Sequence, residues 1–384
     1  MSAIAETVDI AADRKARFGS LERIVVKVGT RILTAQDNSL DVEYVQDLAT
    51  QMAQIRSRGV ELVLVSSGAV GAGMGRLGLT KRPKSIEELQ ACASVGQVQL
   101  MHHYKLALRE HNIAVGQLLL TASDLRGSKD RYIHIQQAFR GLEHAGVLPV
   151  VNENDTVAVE ELRYGDNDQL SAHVANLIGA DLMVVFTTAD GLCDENPATN
   201  QHAQVIPTVS EITSEIESLA AGTDDENAIG GMDTKIKAAK MLMATGVMML
   251  IAHGRRTTLP QLLDGEPSGT LFVPKVDRAD GHKRYILAQS VEGTLNLDDG
   301  AANAIVGGGK SLLPSGITNV VGKFTPGDVV SLKNGGDTEI ARGLTTYDAM
   351  DMRRIAGRQS SDITELLGYH GGDEAVHRDN LVLV

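Results

Sequence analysis

The chain has 384 residues, with 36 lysines and arginines against 49 aspartates and glutamates, a net charge of −13. An acidic chain without tryptophan and with only 3% aromatic residues has neither the basic face nor the stacking platforms that general nucleic-acid binding needs. A small anionic ligand, which answers to a local basic site, stays open. The length predicts two or three domains with ample core. The longest apolar stretch, Met241 to Ala252, is broken by Thr245 and Gly246 and is too short to span a bilayer, so no membrane partner is expected.

Residues 1–20 contain Asp9, Asp13, Arg14, Lys15 and Arg17 and no long apolar run, which predicts a flexible N-terminal extension, disordered or loosely helical, and not a secretory signal. From Leu21 onward, apolar runs at Ile24–Val28, Leu62–Val65, Ala114–Leu120, Val147–Val151, Leu182–Phe186 and Val247–Ala252 read as strands. Amphipathic segments fall between them at Val42–Arg58, Ile86–Glu110, Asp130–His144, Gln169–Ile178 and Thr234–Ala244. Continuous apolar strands alternating with helices predict an α/β domain over residues 21–275, a mostly parallel sheet covered by helices on both faces. Residues 276–292 read as a charged linker. Over 293–384, glycine and proline turns at Gly307–Gly309, Pro314–Gly316, Pro326–Asp328 and Asn334–Gly336 separate short β-like runs, so a small β-rich domain is expected there. Cys92 and Cys193 match no metal spacing and read as small core fillers in a reducing, cytoplasmic compartment.

Two glycine patterns are decoys. Gly73-Met74-Gly75-Arg76-Leu77-Gly78 fits a dinucleotide fingerprint, but the preceding strand ends at Ser66-Ser67-Gly68, too early, and no acidic residue closes a second strand about 20 residues on. Ala304 to Ser311 falls one glycine short of a P-loop and lies in the β-rich tail, where a simple turn is expected. Four other places hold chemistry. Lys27 stands alone among apolar residues in RIVVKVGT; it is either an edge-strand lysine or a cation that needs an anion nearby. The turn Ser66-Ser67-Gly68-Ala69 can present backbone N–H groups at a helix N-terminus. Asn152-Glu153-Asn154-Asp155 and Gly165-Asp166-Asn167-Asp168 cluster carboxylates and amides where a strand ends and a helix begins, the place where open α/β sheets keep ligands. Gly230-Gly231-Met232-Asp233-Thr234-Lys235 opens a helix with a second lysine in its first turn. Together they suit a nucleotide phosphate on one side and a polar small molecule on the other.

VVKVGT, SSGAVGAG, the paired NEND and GDND and the GGMDTK turn resemble the glutamate 5-kinase family of amino-acid kinases. The tail, with Leu297-Asp298-Asp299-Gly300-Ala301, Ser311-Leu312-Leu313-Pro314-Ser315-Gly316-Ile317 and Arg353-Arg354-Ile355-Ala356-Gly357, is similar to a PUA domain. The resemblance implies transfer of the ATP γ-phosphoryl group to the side-chain carboxylate of L-glutamate, the first step of proline biosynthesis, with Mg²⁺ as cofactor. It also implies a homo-oligomer and proline as feedback inhibitor. It assigns catalysis to Lys27, Asp168 and Lys235, with Asp168 positioning both lysines. Glutamate would be held by Ser67, Asn152, Asp155, Asp166 and Asn167, and ATP by Lys27, Gly29, Thr187, Thr188, Ile229, Gly230, Gly231, Met232, Asp233, Thr234 and Lys235. Metal ligands are not assigned.

The chain departs from the family pattern on the nucleotide side. Thr187-Thr188 replaces a Thr-Asp, Ile229 replaces a threonine, and Arg31 stands where serine is common. A non-catalytic regulator is therefore a second hypothesis. RNA binding by the tail is a third and is not expected, because Ile286 to Val384 holds eight basic residues against thirteen acidic ones.

Overall fold

In the computed structural model, residues 9–35, 39–121, 124–125, 129–158, 167–197, 199–221, 231–276 and 281–384 are described. They form two compact units, Met1–Arg278 and Ala279–Val384. Six apolar runs of the first unit become strands: β1 (Arg23–Val28), β2 (Glu61–Ser66), β3 (Val115–Leu120), β4 (Leu148–Glu153), β5 (Leu182–Thr187) and β7 (Met248–His253). Two short strands, β6 (Thr208–Val209) and β8 (Thr270–Phe272), complete an eight-stranded sheet ordered β3-β4-β2-β1-β5-β7-β8-β6. All pairs are parallel except β7 with β8. The carboxyl ends of β1, β2, β4, β5 and β7 therefore share one edge, where residues 28, 66, 153, 187 and 253 end their strands.

The helices are α1 (Ile10–Phe18), α2 (Val42–Ser57), α3 (Ala69–Arg76), α4 (Ile86–Arg109), α5 (Lys129–His144), α6 (Asn167–Ile178), α7 (Ser214–Ala221) and α8 (Met232–Met243). Ser85, at the N-cap of α4, accepts from Glu88 N, the arrangement that satisfies an orphan first-turn donor. β1 alternates in the ordinary pleated way: Ile24, Val26 and Val28 enter the large core cluster, while Val25 and Lys27 take the opposite face. Both sets are buried, the condition that makes a parallel strand read as continuously apolar.

One interhelical contact bears directly on the sheet edge. A Cβ on Gly73 would lie 1.8 Å from the Cys92 carbonyl oxygen, and one on Gly96 would lie 1.7 Å from the Ala69 carbonyl oxygen. The first glycine of the dinucleotide-like pattern thus serves the close approach of α3 to α4.

The N-terminal expectation needs correction. Residues 10–18 form α1, capped by Asp9, and Arg14 is fully buried. Its guanidinium donates to the carbonyls of Glu266, Ser268, Pro207 and Gly269 at 2.6–2.9 Å. Carbonyl dipoles supply the solvation that burial removes, and this fixes a segment whose sequence reads as polar and loose. The linker expected over 276–292 is also shorter than its charge suggests: α9 (Gly281–Ala288) buries Tyr285, Ile286 and Leu287.

In the second unit, β9 (Val291–Leu297), β10 (Ile317–Gly322), β11 (Val329–Lys333), β12 (Glu339–Leu344) and β13 (Leu381–Leu383) form a sheet ordered β10-β9-β11-β12-β13. Only β9 with β11 is parallel. The P-loop-like segment is the end of α10 (Asp299–Gly308), closed by Gly309 in the left-handed region, the usual way a helix stops. Among the described residues no helix is long and apolar enough to cross a membrane.

The α3–α4 contact predicts the effect of one methyl group. Gly96→Ala must push the backbone at Ala69 away, shifting the adjacent Ser67-Gly68 turn. We expect a stability loss of about 1–3 kcal/mol, as for other overpacked positions, read by urea denaturation.

Candidate active site

Lys27 lies in a central strand, because β1 is flanked by β2 and β5, so the edge-strand alternative is excluded. It is 6% exposed, and its Nζ donates to Asp168 Oδ1 at 2.5 Å. Asp168, in the first turn of α6, is wholly buried. Its second oxygen accepts from Lys235 Nζ at 3.1 Å and from the Thr234 hydroxyl at 2.8 Å. Lys235, 4% exposed, stands in the first turn of α8 and also reaches the Gly231 carbonyl at 3.3 Å. One carboxylate thus serves two buried ammonium groups. Burial raises the Asp168 carboxyl, but Lys27 and Lys235 outweigh it and hold the group well below the ordinary carboxylate range. The N-terminus of α6 favours the same charge.

The neighbouring residue opens a second network. Asn167 Nδ2 donates to Ser67 Oγ and to Asn152 Oδ1, each at 2.9 Å. Asn152, at the end of β4, donates through Nδ2 to Gln97 Oε1 at 2.8 Å. Ser67, Asn152 and Asn167 are all buried. The Ser67 turn is held from below: Ser67 N donates to the Val28 carbonyl at 3.1 Å, and the Ser66 and Tyr104 hydroxyls meet at 2.9 Å. Gly68 adopts φ +98°, a conformation that glycine takes without strain. Half-buried Asp155 borders a cavity of about 440 Å³ whose wall includes Gln97, Glu153 and Thr156.

The expected nucleotide residues divide. Gly29 follows β1, and its N–H reaches the Phe186 carbonyl at 3.1 Å. Thr187 ends β5 beside His253. Thr188 is exposed, and Asp190 beyond it pairs with Arg256, whose Nη1 donates to both of its oxygens. Gly231, Met232 and Thr234 surround the Lys235 turn, whereas Asp233 pairs with Lys237 at 2.6 Å on the outer face of α8. Asp166, Ile229 and Gly230 lie outside the described residues. Sequence reasoning missed Gln97, whose glutamine in a long amphipathic helix carries no signal, and the direct bond from Thr234 to Asp168.

Comparison with known proteins bears on this edge. Residues 22–253 match the amino acid kinase family and residues 293–367 match the PUA domain. A glutamate 5-kinase of Moorella thermoacetica is 45% identical over 364 residues, covering 94% of this chain and 96% of that relative. One from Deinococcus radiodurans is 46% identical over 363 residues, covering 94% of this chain and 100% of that relative. The chain belongs to the glutamate 5-kinase family of amino acid kinases. The mostly parallel kinase sheet and the β-rich PUA tail expected from the sequence both stand within the glutamate 5-kinase family.

Asp168→Asn keeps the side chain's shape and removes its charge, leaving two buried ammonium groups unbalanced. Breaking a buried pair costs about 3–5 kcal/mol, and urea denaturation at pH 7 should show a loss of that order. The folded carboxyl ionises below the roughly 3.9 of an unfolded aspartate. Its contribution is therefore fully present above that value and is lost as pH falls toward the folded one. The gap between wild type and variant should be constant from about pH 5 to 8 and narrow below about pH 4.

Proposed function

We propose that the chain phosphorylates the side-chain carboxylate of L-glutamate with ATP, giving L-glutamyl 5-phosphate and ADP, the first step of proline biosynthesis. The observation that carries this reading is the Lys27–Asp168–Lys235 group at the sheet edge, contiguous through Asn167 with a network of small polar side chains. Two lysines brought together at the carboxyl edge of an open α/β sheet suit a phosphate, the place and the charge that such a ligand uses.

In the reaction, a carboxylate oxygen of glutamate attacks the γ-phosphorus, the bond to the bridging oxygen breaks, and ADP carries that electron pair away. The nucleophile is already ionised near neutral pH, so no general base is needed. The obstacle is repulsion between two anions. Lys27 would contact the transferring phosphoryl group and Lys235 the nucleotide side, each kept in place and charged by Asp168. Ser67, Asn152, Asp166 and Asn167 would orient glutamate, and Asp155 would accept its α-ammonium group.

Mg²⁺ would travel with the nucleotide. Among the described residues no three His, Cys, Asp or Glu side chains converge to hold a metal, and both Asp168 oxygens already accept hydrogen bonds. Phosphate oxygens and water are its ordinary ligands, and when bound it neutralises phosphate charge.

With ATP, Mg²⁺, glutamate and hydroxylamine, the protein should form glutamyl hydroxamate. Lys27→Ala should lower kcat about 100-fold or more. N-acetylglutamate, which lacks the ammonium group, should be a poor substrate. Wild-type product no greater than that of Lys27→Ala contradicts the reading.

A further inference from the structure

The acceptor network ends on a residue that the resemblance does not assign. Gln97, in the middle of α4, accepts from Asn152 Nδ2 through Oε1 at 2.8 Å. Asn152 in turn accepts from Asn167 and from its own neighbour's N–H, Glu153 N, both at 2.9 Å. The Glu153 N–H, which can only donate, turns the Asn152 Oδ1 away from α4, so Nδ2 faces Gln97 and the Gln97 amide meets it with Oε1. The other half of its own amide is unspent. Nε2 is buried and makes no hydrogen bond among the described residues. A buried donor without a partner is destabilising, a penalty that an amide side chain in a packed helix could shed by exchange for an apolar residue.

Gln97 is also part of the wall of the 440 Å³ cavity, with Asp155 and Glu153 beside it and Ala93, Val98 and Met101 as its apolar part. A free amino acid entering there brings two charges at its α-carbon. Asp155 suits the ammonium, but the carboxylate would then lie among acidic side chains. Arg82 balances Asp155 from an exposed position. On the protein side the Gln97 amide is an N–H donor that makes no hydrogen bond among the described residues. Gln97 lines the cavity, and Nε2 is the donor left to that side chain while Oε1 serves Asn152.

We propose that Gln97 is a specificity-determining residue of the acceptor site: its Oε1 fixes Asn152, and its Nε2 receives the α-carboxylate of the amino-acid substrate. This rests on the reading of glutamate as acceptor. It adds that the α-carboxylate, and not only the ammonium, is recognised, and by a neutral donor, so that a substrate with that carboxylate amidated is discriminated at this position.

The test uses the full chain and two variants, Gln97→Met and Gln97→Glu, with glutamate and its α-carboxamide analogue in the hydroxamate assay. Loss of a hydrogen bond to a charged group corresponds to about 10-fold to 100-fold. Gln97→Met should raise KM for glutamate by about that factor, with kcat and KM for ATP within about threefold. Gln97→Glu should be worse for glutamate and should shift the ratio of kcat/KM toward the α-carboxamide by about 10-fold or more, because its oxygen accepts from that amide. A glutamate KM within about twofold of wild type in Gln97→Met overturns the proposal. So does an equal loss for both substrates, or a parallel fall of kcat, ATP binding and melting temperature in both variants. Wild type without glutamate-dependent product would sink the functional reading instead. The melting-temperature rise produced by glutamate, compared between wild type and Gln97→Glu, then still reads the contact, and an equal rise in the two overturns it.

Discussion

One carboxylate shared by two buried ammonium groups is the constraint on which the rest depends. Asp168 cannot be neutral, because two cations flank it, and the cations cannot be expelled, because both stand on elements fixed by the core. Taking ions out of water is repaid only where geometry is good and partners are supplied, and Asp168 supplies one to each lysine. Lys27 and Lys235 lie 208 positions apart in the chain, and Asp168 ties them together.

The fold delivers this constraint by placing strand ends on one edge. β1 brings Lys27 as its next-to-last residue, β2 ends in the Ser67 turn, and β4 ends in Asn152 and Glu153. Helix α6 then starts with Asn167 and Asp168 side by side, so one turn of helix serves both the two buried lysines and the network of Ser67 and Asn152. The glycines of α3 and α4 have a part in this, since the Ser67 turn can stay in place only if the two helices touch backbone to backbone. Packing far from the reacting atoms is in that sense part of the site.

Much of this was legible in the sequence, for reasons that vary by residue. Continuous apolar runs announced six strands because both faces of a parallel sheet are covered. β6 and β8 are too short to leave a pattern. The segment around Arg14 reads as loose because its polar residues resemble a solvated tail; four carbonyls from distant loops reverse that, and no local rule anticipates them. Lys27 alone was ambiguous between a sheet edge and a buried cation, and strand order decided it. The polar clusters at 152–155 and 165–168 pointed to the sheet edge where Asn152, Asn167 and Asp168 stand, but not to the bond from Asn152 to Gln97. Glutamine at a helical position follows no periodicity that sets function apart from surface.

The measurement that tests the central claim most directly is a double-mutant cycle on kcat for hydroxamate formation, using Lys27→Met, Asp168→Asn and the two combined. If Asp168 acts by holding the lysines, each single change costs about 100-fold or more and the double costs little more than the worse single. Losses that simply multiply would mean that Lys27 and Asp168 act independently, and would contradict the account.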